Sequence, residues 1–275
     1  MKKQRGKQAA ALFLTLLLLT SCSARKDENE QPESTKPSES VTPGTDAPEE
    51  TDPEEDPEET DGPVSEPMKV SLDPLDETLQ TEDGTMLMRC SLQVPFVTPE
   101  ERYTARNAKL RAKAEAILTE AKRQAEDARD WAGNPGFQTI TYMGTCDVKR
   151  ADEAGWLSVL FTTEYNLGGV HPGMEWQSVT FAPGSDEPLT LSRLLGKTEE
   201  ETSEYIVEAF RGSIEAQPEL YFEDALTLLP SLAGKVGFYV TEDGKLTLYL
   251  EPYEITPYAV GMTSVTLPLP EGAGA

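Results

Sequence analysis

Apolar and polar positions divide the chain into three regimes. An apolar run from Ala9 to Leu19, interrupted only by Thr15, comes first. A stretch with almost nothing to bury follows, from Lys26 to Glu66. Beyond it lie alternating segments that read as strands and helices. Met86 to Val97 alternates with the strand period, and Pro95 within it points to an edge or a strand end. Thr98-Pro99-Glu100-Glu101 predicts a helix start, with Thr98 as cap, Pro99 at the first helical position and Glu101 closing a capping box. Tyr103, Leu110, Ala114, Ile117, Ala121, Ala125 and Ala128 then repeat with the helical period, up to the breaker Gly133-Asn134-Pro135-Gly136.

Phe137 to Val148, Trp156 to Tyr165 and Met174 to Phe181 read as three further strands. The last two are joined by Leu167-Gly168-Gly169-Val170-His171-Pro172-Gly173. A second helix is predicted to open at Thr198 with Glu201 as its box partner, carrying a stripe of Ile206, Ala209, Phe210 and Ile214. Gly237 to Val240 and Lys245 to Leu250 flank Thr241-Glu242-Asp243-Gly244 as a hairpin, and Ser264 to Leu269 forms a last strand. Long helices set among hairpins predict an α+β fold. Its antiparallel sheet would be packed by two main helices and preceded by a disordered acidic linker.

Charge sharpens this division. The chain has 275 residues, 49 acidic against 24 basic, and a formal net charge of −25. Lys26 to Glu66 accounts for −14 and the first 25 residues for +5, which leaves −16 for the region from Pro67 onward. The globular part is therefore acidic in its own right. Such a field repels nucleic acid and bare anionic lipid, and it favours cationic partners. The Pro, Glu, Asp, Thr and Ser repeats of the spacer cannot offset their conformational entropy and are expected to stay disordered. At ~3.1 Å per residue they can extend on the order of 100 Å.

The N-terminal pattern carries the localisation. Lys2, Lys3, Arg5 and Lys7 precede the apolar run, and Leu19-Thr20-Ser21-Cys22 has the small residues and cysteine of a lipobox. The run is too short for an ordinary membrane span. Residues 1–21 are thus expected to be a removed lipoprotein signal, and 22–67 a lipidated Cys22 with its linker. Residues 68–275 then form the domain, held at the extracytoplasmic face of a cell membrane by acyl chains worth roughly 0.8 kcal/mol per buried methylene.

Catalytic constellations are sparse. His171 is the single histidine, so a multi-histidine zinc site is excluded, and no Cys-x-x-Cys spacing replaces one. No Gly-x-Ser-x-Gly turn offers a nucleophile to His171, whose place in a loop of glycines and proline suits a turn-stabilising role. A carboxylate pair for glycan hydrolysis is available only in the sense that acidic residues abound. No catalytic residue, metal or cofactor is assigned. Tyr253, Pro257 and Tyr258 form a proline-punctuated aromatic segment. It reads either as an exposed recognition surface or as tyrosines packed inward and hydrogen-bonded. Glu254 within it either pairs with a cation or presents charge. Cys90 and Cys146 are either a disulfide, as an exported domain permits, or two buried thiols.

The segment Leu248-Tyr249-Leu250-Glu251-Pro252-Tyr253-Glu254-Ile255-Thr256-Pro257-Tyr258-Ala259-Val260-Gly261 resembles a signature of a bacterial extracytoplasmic domain of unknown function. RsiV-type lysozyme-sensing anti-sigma factors and PdaC-type peptidoglycan deacetylases share that domain. Gly168-Gly169-Val170-His171-Pro172 and Pro188-Leu189-Thr190-Leu191 are similar to the same family, and the resemblance runs from Met86 to Leu269. It implies a helix-on-sheet domain at the cell surface that binds a cell-envelope protein or peptidoglycan. Tyr253, Glu254, Pro257, Tyr258 and His171 are the partner-binding candidates, and Gly168, Gly169 and Gly261 shape the loops. RsiV-type chains carry a transmembrane helix and a cytoplasmic segment, whereas a lipid anchor is expected here. PdaC-type chains add a histidine-rich catalytic domain, which one histidine cannot supply. The expected function is non-enzymatic capture of a partner such as the cationic muramidase lysozyme. The alternatives are a peptidoglycan-binding accessory module and, behind it, a glycan hydrolase or deacetylase.

Cells fed radiolabelled palmitate are expected to label this chain, and Cys22→Ala is expected to abolish both the label and membrane retention. Membrane retention of an unlabelled Cys22→Ala chain would remove the lipid anchor.

Overall fold

The computed structural model describes residues 66–274. The export segment, Cys22 and the spacer up to residue 65 lie outside the described residues. In chain order the elements are β1 (Lys69–Gln80), β2 (Met86–Thr98), α1 (Glu100–Asp127), β3 (Ile140–Ala151), β4 (Leu157–Asn166) and β5 (Gly173–Phe181). There follow α2 (Leu191–Leu195), α3 (Glu199–Ala216), α4 (Ala225–Leu232), β6 (Gly237–Val240), β7 (Lys245–Leu250) and β8 (Thr263–Pro268). The fold is α+β, with two sheets where the pattern predicted one. The first runs β1-β2-β3-β4-β5 and the second β6-β7-β8. Every neighbouring pair is antiparallel except β2–β3, which is parallel because α1 forms the crossover between them.

The strands at Met86, Ile140, Leu157 and Gly173 and the two long helices follow the sequence pattern. β1 does not announce itself, because Lys69–Gln80 is mostly exposed along an edge and carries Pro74 in its middle. α4 is also unannounced, with Pro230 in its interior. The capping box expected at Thr98 does not form. Thr98 is the last residue of β2, paired with Lys69, so its backbone serves the sheet, and Pro99 is the uncapped N-cap of α1. At Thr198 the box is complete: Thr198 Oγ1 accepts from the Glu201 N–H at 3.2 Å, and Glu201 Oε2 accepts from the Thr198 N–H at 2.9 Å.

The β2–β3 pair exists only from Met88–Ile140 to Leu92–Gly144, after which the strands part. Backbone groups left behind need other partners. Gln93 Oε1 accepts from the Cys146 N–H at 3.1 Å. Pro95 has no N–H to satisfy. Asn107 of α1 acts like a short strand: its amide accepts from the Val97 N–H at 2.8 Å and donates to the Val97 carbonyl at 2.9 Å. The helix thereby replaces the departing strand.

Beside Asn107, Arg106 is 2% exposed. Its guanidinium donates to the carbonyls of Gly155 (2.9 Å), Ala182 (2.9 Å) and Ser185 (2.8 Å), and lies 3.3 Å from Asp186. The rings of Tyr103 and Phe181 flank it, each 5.3 Å from its centre. Burial pushes the Arg106 pKa down and Asp186 opposes the shift. One side chain thus ties α1 to the β3–β4 turn and to the end of β5.

α1 buries Leu110, Ala114, Ile117, Leu118, Ala121 and Ala125 on one face of the first sheet. The second sheet crosses the other face of β3–β5. Its leucines Leu246, Leu248 and Leu250 point away from the first sheet, into a core with Ile206, Phe210 and Leu229 of α3 and α4. Its polar face meets the first sheet: the Val240 N–H donates to Ser158 Oγ at 3.1 Å, and the Tyr249 hydroxyl to Ser178 Oγ at 3.0 Å.

Cys90 and Cys146 are thiols and not a disulfide. Cys90 stands opposite Tyr142 in the parallel pair, so Cys146 lies four residues further along β3. At about 3.3 Å per residue this is about 13 Å, well past the ~7 Å Cα separation a disulfide tolerates. Burial pushes the Cys90 thiol up to about 11 and the Cys146 thiol up to about 12, which makes both poor nucleophiles.

Arg106→Met is expected to lower unfolding stability in urea by about 3 kcal/mol, because three buried carbonyls lose their donors. Asp186→Asn, at an exposed carboxylate, should cost less than about 1 kcal/mol. Equal losses for the two variants would contradict the central place given to the guanidinium–carbonyl bonds.

Candidate functional site

Two loops meet where the sequence placed its candidates: residues 167–172, between β4 and β5, and residues 251–262, between β7 and β8. The second is shaped by an inward–outward alternation. Ile255 and Thr256 are fully buried, and Thr256 Oγ1 is hydrogen-bonded to Thr263 Oγ1 at 2.7 Å. The Ile255 carbonyl accepts from the Phe222 N–H. With these two residues anchored, Tyr253 and Tyr258 on either side project outward, 68% and 41% exposed. Their rings stack at a centroid distance of 5.6 Å and an angle of 26°.

Tyr253 is the one non-glycine among the described residues with positive φ, at 70°. A bulky residue there costs on the order of 1–2 kcal/mol. Its N–H donates to the Thr256 carbonyl at 2.9 Å, which holds the turn shut. Tyr258 reaches the other loop, its hydroxyl donating to the Pro172 carbonyl at 3.1 Å. The two readings of this segment therefore combine: the rings are exposed, and one hydroxyl is used to join the loops.

The remaining candidates divide. Glu254 pairs with Lys235 at 2.9 Å. Pro257 is exposed and precedes a single 3-10 turn over Tyr258–Val260. Gly261, at φ 76° and ψ −151°, occupies a region open essentially to glycine alone. Gly168 needs its φ of 86°, and its N–H donates to Asn166 Oδ1 at 2.8 Å. Gly169 has no such geometry, and a side chain there would meet only ordinary contact, so its expected loop-shaping role is not required. His171 is exposed and makes no hydrogen bond to any described residue, so the turn-stabilising role expected of it is not present. It stands beside Val170, which is 93% exposed at the loop tip.

Sequence reasoning missed the support beneath this surface. β5 is an edge strand, and its outward backbone groups at Trp176 are covered by β7 and the residue after it. Glu251 Oε1 accepts from the Trp176 N–H at 3.2 Å, and the Tyr249 hydroxyl points to the Trp176 carbonyl at 3.4 Å. Burial pushes the Glu251 carboxyl pKa up; the Trp176 N–H opposes this, while Glu175 and Glu254 reinforce it. Tyr165 lies beneath, its pKa raised by burial first and then by Glu175, Glu251 and Tyr258. Carboxylates thus gather behind an aromatic surface. The only available signal was that Glu251 directly follows the apolar and hydroxyl run Leu246–Leu250. Among the described residues, no group of three or more His, Cys, Asp and Glu side chains could hold a metal ion, and no helix is long and apolar enough to cross a membrane.

Residues 195–269, from the end of α2 to just past β8, match a family described as protein of unknown function (DUF3298). Loop 251–262 lies inside the match and loop 167–172 outside it. A crystal structure of a DUF3298 family member from Bacteroides fragilis NCTC 9343 is similar over 73% of this chain and 90% of its own, at 13% identity and a TM-score of 0.52. A DUF3298 family protein from Pseudomonas aeruginosa PAO1 aligns over 74% of this chain and 91% of its own, at 16% identity and a TM-score of 0.47. At such identities the first likeness speaks for the fold alone. No curated protein matches the sequence.

The raised Glu251 pKa carries a sign. A carboxyl whose folded pKa lies above its unfolded value favours the fold at acid pH, and that advantage is lost as pH rises through the folded pKa. Glu251→Gln keeps an acceptor for the Trp176 N–H and removes the charge. Its melting temperature is expected to exceed the parent's at pH 7, with the gap closing toward pH 4. A gap that widens on acidification would mean that burial does not dominate at Glu251.

Proposed function

We propose that this chain is a membrane-anchored surface lipoprotein whose α+β domain works by binding a cell-envelope partner, a cationic muramidase such as lysozyme, and not by turnover. The exposed Tyr253–Tyr258 stack carries the reading. A tyrosine held in left-handed backbone, with two-thirds of its surface in water, is a conformational cost without a folding benefit of its own. Strain of this kind collects at sites that engage ligands. Tyrosine also suits the task, giving large contact area for few rotatable bonds. The loop carrying Val170 and His171 is tied to the stack through Tyr258, so both present one surface.

Charge supports a cationic partner. The region from Pro67 onward bears −16, and Glu175, Glu251 and Glu254 stand behind the aromatic surface. Such a field speeds encounter with a basic protein and weakens with salt. Chemistry at this surface has little support: His171 has no hydrogen-bonded carboxylate or hydroxyl among the described residues, and both thiols are buried with raised pKa values. The acyl anchor on Cys22 and the acidic spacer would hold the domain among wall components.

Calorimetric titration of the Cys22→Ser chain with lysozyme is expected to give saturable binding that weakens at least ten-fold from low to physiological salt. Tyr253→Gly should reduce affinity ten-fold or more while leaving the melting temperature unchanged or higher, since glycine relieves the positive φ. Absence of heat at either salt would reject the muramidase, and cosedimentation with purified sacculi would then favour peptidoglycan as the partner.

A further inference from the structure

α1 covers β2 and β3 but stops short of the far side of the first sheet. A groove of about 300 Å³ opens there between the helix and β5. Its walls are Glu120 and Gln124 of α1, Tyr142 of β3, Tyr165 of β4, Glu175 and Gln177 of β5, with Leu167 at the lip. Tyr142 and Tyr165 are register partners whose rings stack at 5.6 Å and 20°. The Tyr165 ring lies over Gly173, which leaves it the room that any Cβ there would take. Tyr142 is 5% exposed, and its hydroxyl makes no hydrogen bond to any described residue. The hydroxyl itself is open to this groove, where an incoming donor can reach it.

We propose that this groove is a receptor for a single cationic side chain, a guanidinium or an ammonium, presented by the bound partner. The hydroxyl of Tyr142 and the carboxylate of Glu175 would accept its N–H groups, and the tyrosine rings would flank it. The inference deepens the binding reading and rests on it only for the claim that a protein delivers the cation.

The charges facing the groove favour a cation over a neutral sugar. Glu120 accepts from Arg123 and Gln124, which hold its carboxyl down at about 2, so it stays ionised. Glu175 is hydrogen-bonded by Gln177. Two cations of α1 stand nearby: Arg123, already paired with Glu120, and Lys113, whose pKa burial lowers and Glu175 raises and which makes no salt bridge among the described residues. Glu251 adds negative potential from beyond Tyr165. The Tyr142 phenol is pushed up to about 12, by burial first and then by Glu120, Tyr165 and Glu175, with Arg123 opposing, so at neutral pH it is an intact hydroxyl.

The test titrates the Cys22→Ser chain by NMR with N-acetyl-arginine amide, its neutral isostere N-acetyl-citrulline amide, and chitotetraose. Arginine amide is expected to perturb groove resonances saturably, with citrulline amide at least ten-fold weaker. Glu175→Gln should weaken arginine amide ten-fold, and Tyr142→Phe several-fold with an unchanged melting temperature. Glu208→Gln, an exposed charge on α3, should leave it unaffected. Equal binding of arginine and citrulline amides would overturn the proposal. So would an equal effect of Glu208→Gln and Glu175→Gln, saturation by chitotetraose alone, or no binding of any probe. Arginine amide bound while lysozyme is not would leave the groove standing and remove the muramidase. Lysozyme bound undiminished by Glu175→Gln would do the reverse.

Discussion

The guanidinium of Arg106 is the contact on which the rest of the first layer depends. It is buried, charged and surrounded by carbonyls, so the groups that satisfy it cannot move independently. Those carbonyls belong to the β3–β4 turn, one strand beyond the helix, and to the residues after β5, three strands beyond it. The neighbouring Asn107 fixes the other side of the helix to Val97. Two adjacent polar residues on a helix otherwise packed by Leu, Ile and Ala therefore set where that helix sits along the sheet. Apolar packing would tolerate sliding, whereas hydrogen bonds to named carbonyls do not.

The position of α1 has a consequence at the opposite end. A helix placed over β2 and β3 leaves the β4–β5 side uncovered, and the second sheet closes only its other face. Edge strands expose backbone groups that invite pairing. At Trp176 the edge of β5 is met by Glu251 and Tyr249 instead of another strand, which brings a carboxylate beneath the aromatic loop. The candidate surface and the groove are thus two results of one arrangement. Tyr165 lies between them, packed on Gly173 and close to Tyr258.

Much of this was legible in the sequence, and what was legible is local. The stripe from Tyr103 to Ala125, the capping box at Thr198 and the turn at Thr241-Glu242-Asp243-Gly244 depend on residues within a few positions of one another. Thr98 misled because its local signal was sound, yet its backbone was already committed to the ladder with Lys69. β1 was hidden since its inward face is only half-buried, carries Glu77 between Leu75 and Leu79, and is preceded by Pro74. Cys90 and Cys146 looked like a pair only while the register of a parallel crossover was unknown.

The sequence by itself therefore determined most of the elements and their order, the acidity of the region from Pro67 onward and the place of the aromatic segment, but not that its rings meet solvent. Tertiary structure decided which loops share a surface, since the Tyr258 hydroxyl and Pro172 are 86 residues apart. It also decided that Arg106, readable as one more charge on a helix, is buried, and that Tyr142 stands beside Glu175. Periodicity records which side of an element is apolar. It does not record which distant carbonyl or carboxylate that side will meet, because that depends on chain crossings that no short window of residues encodes.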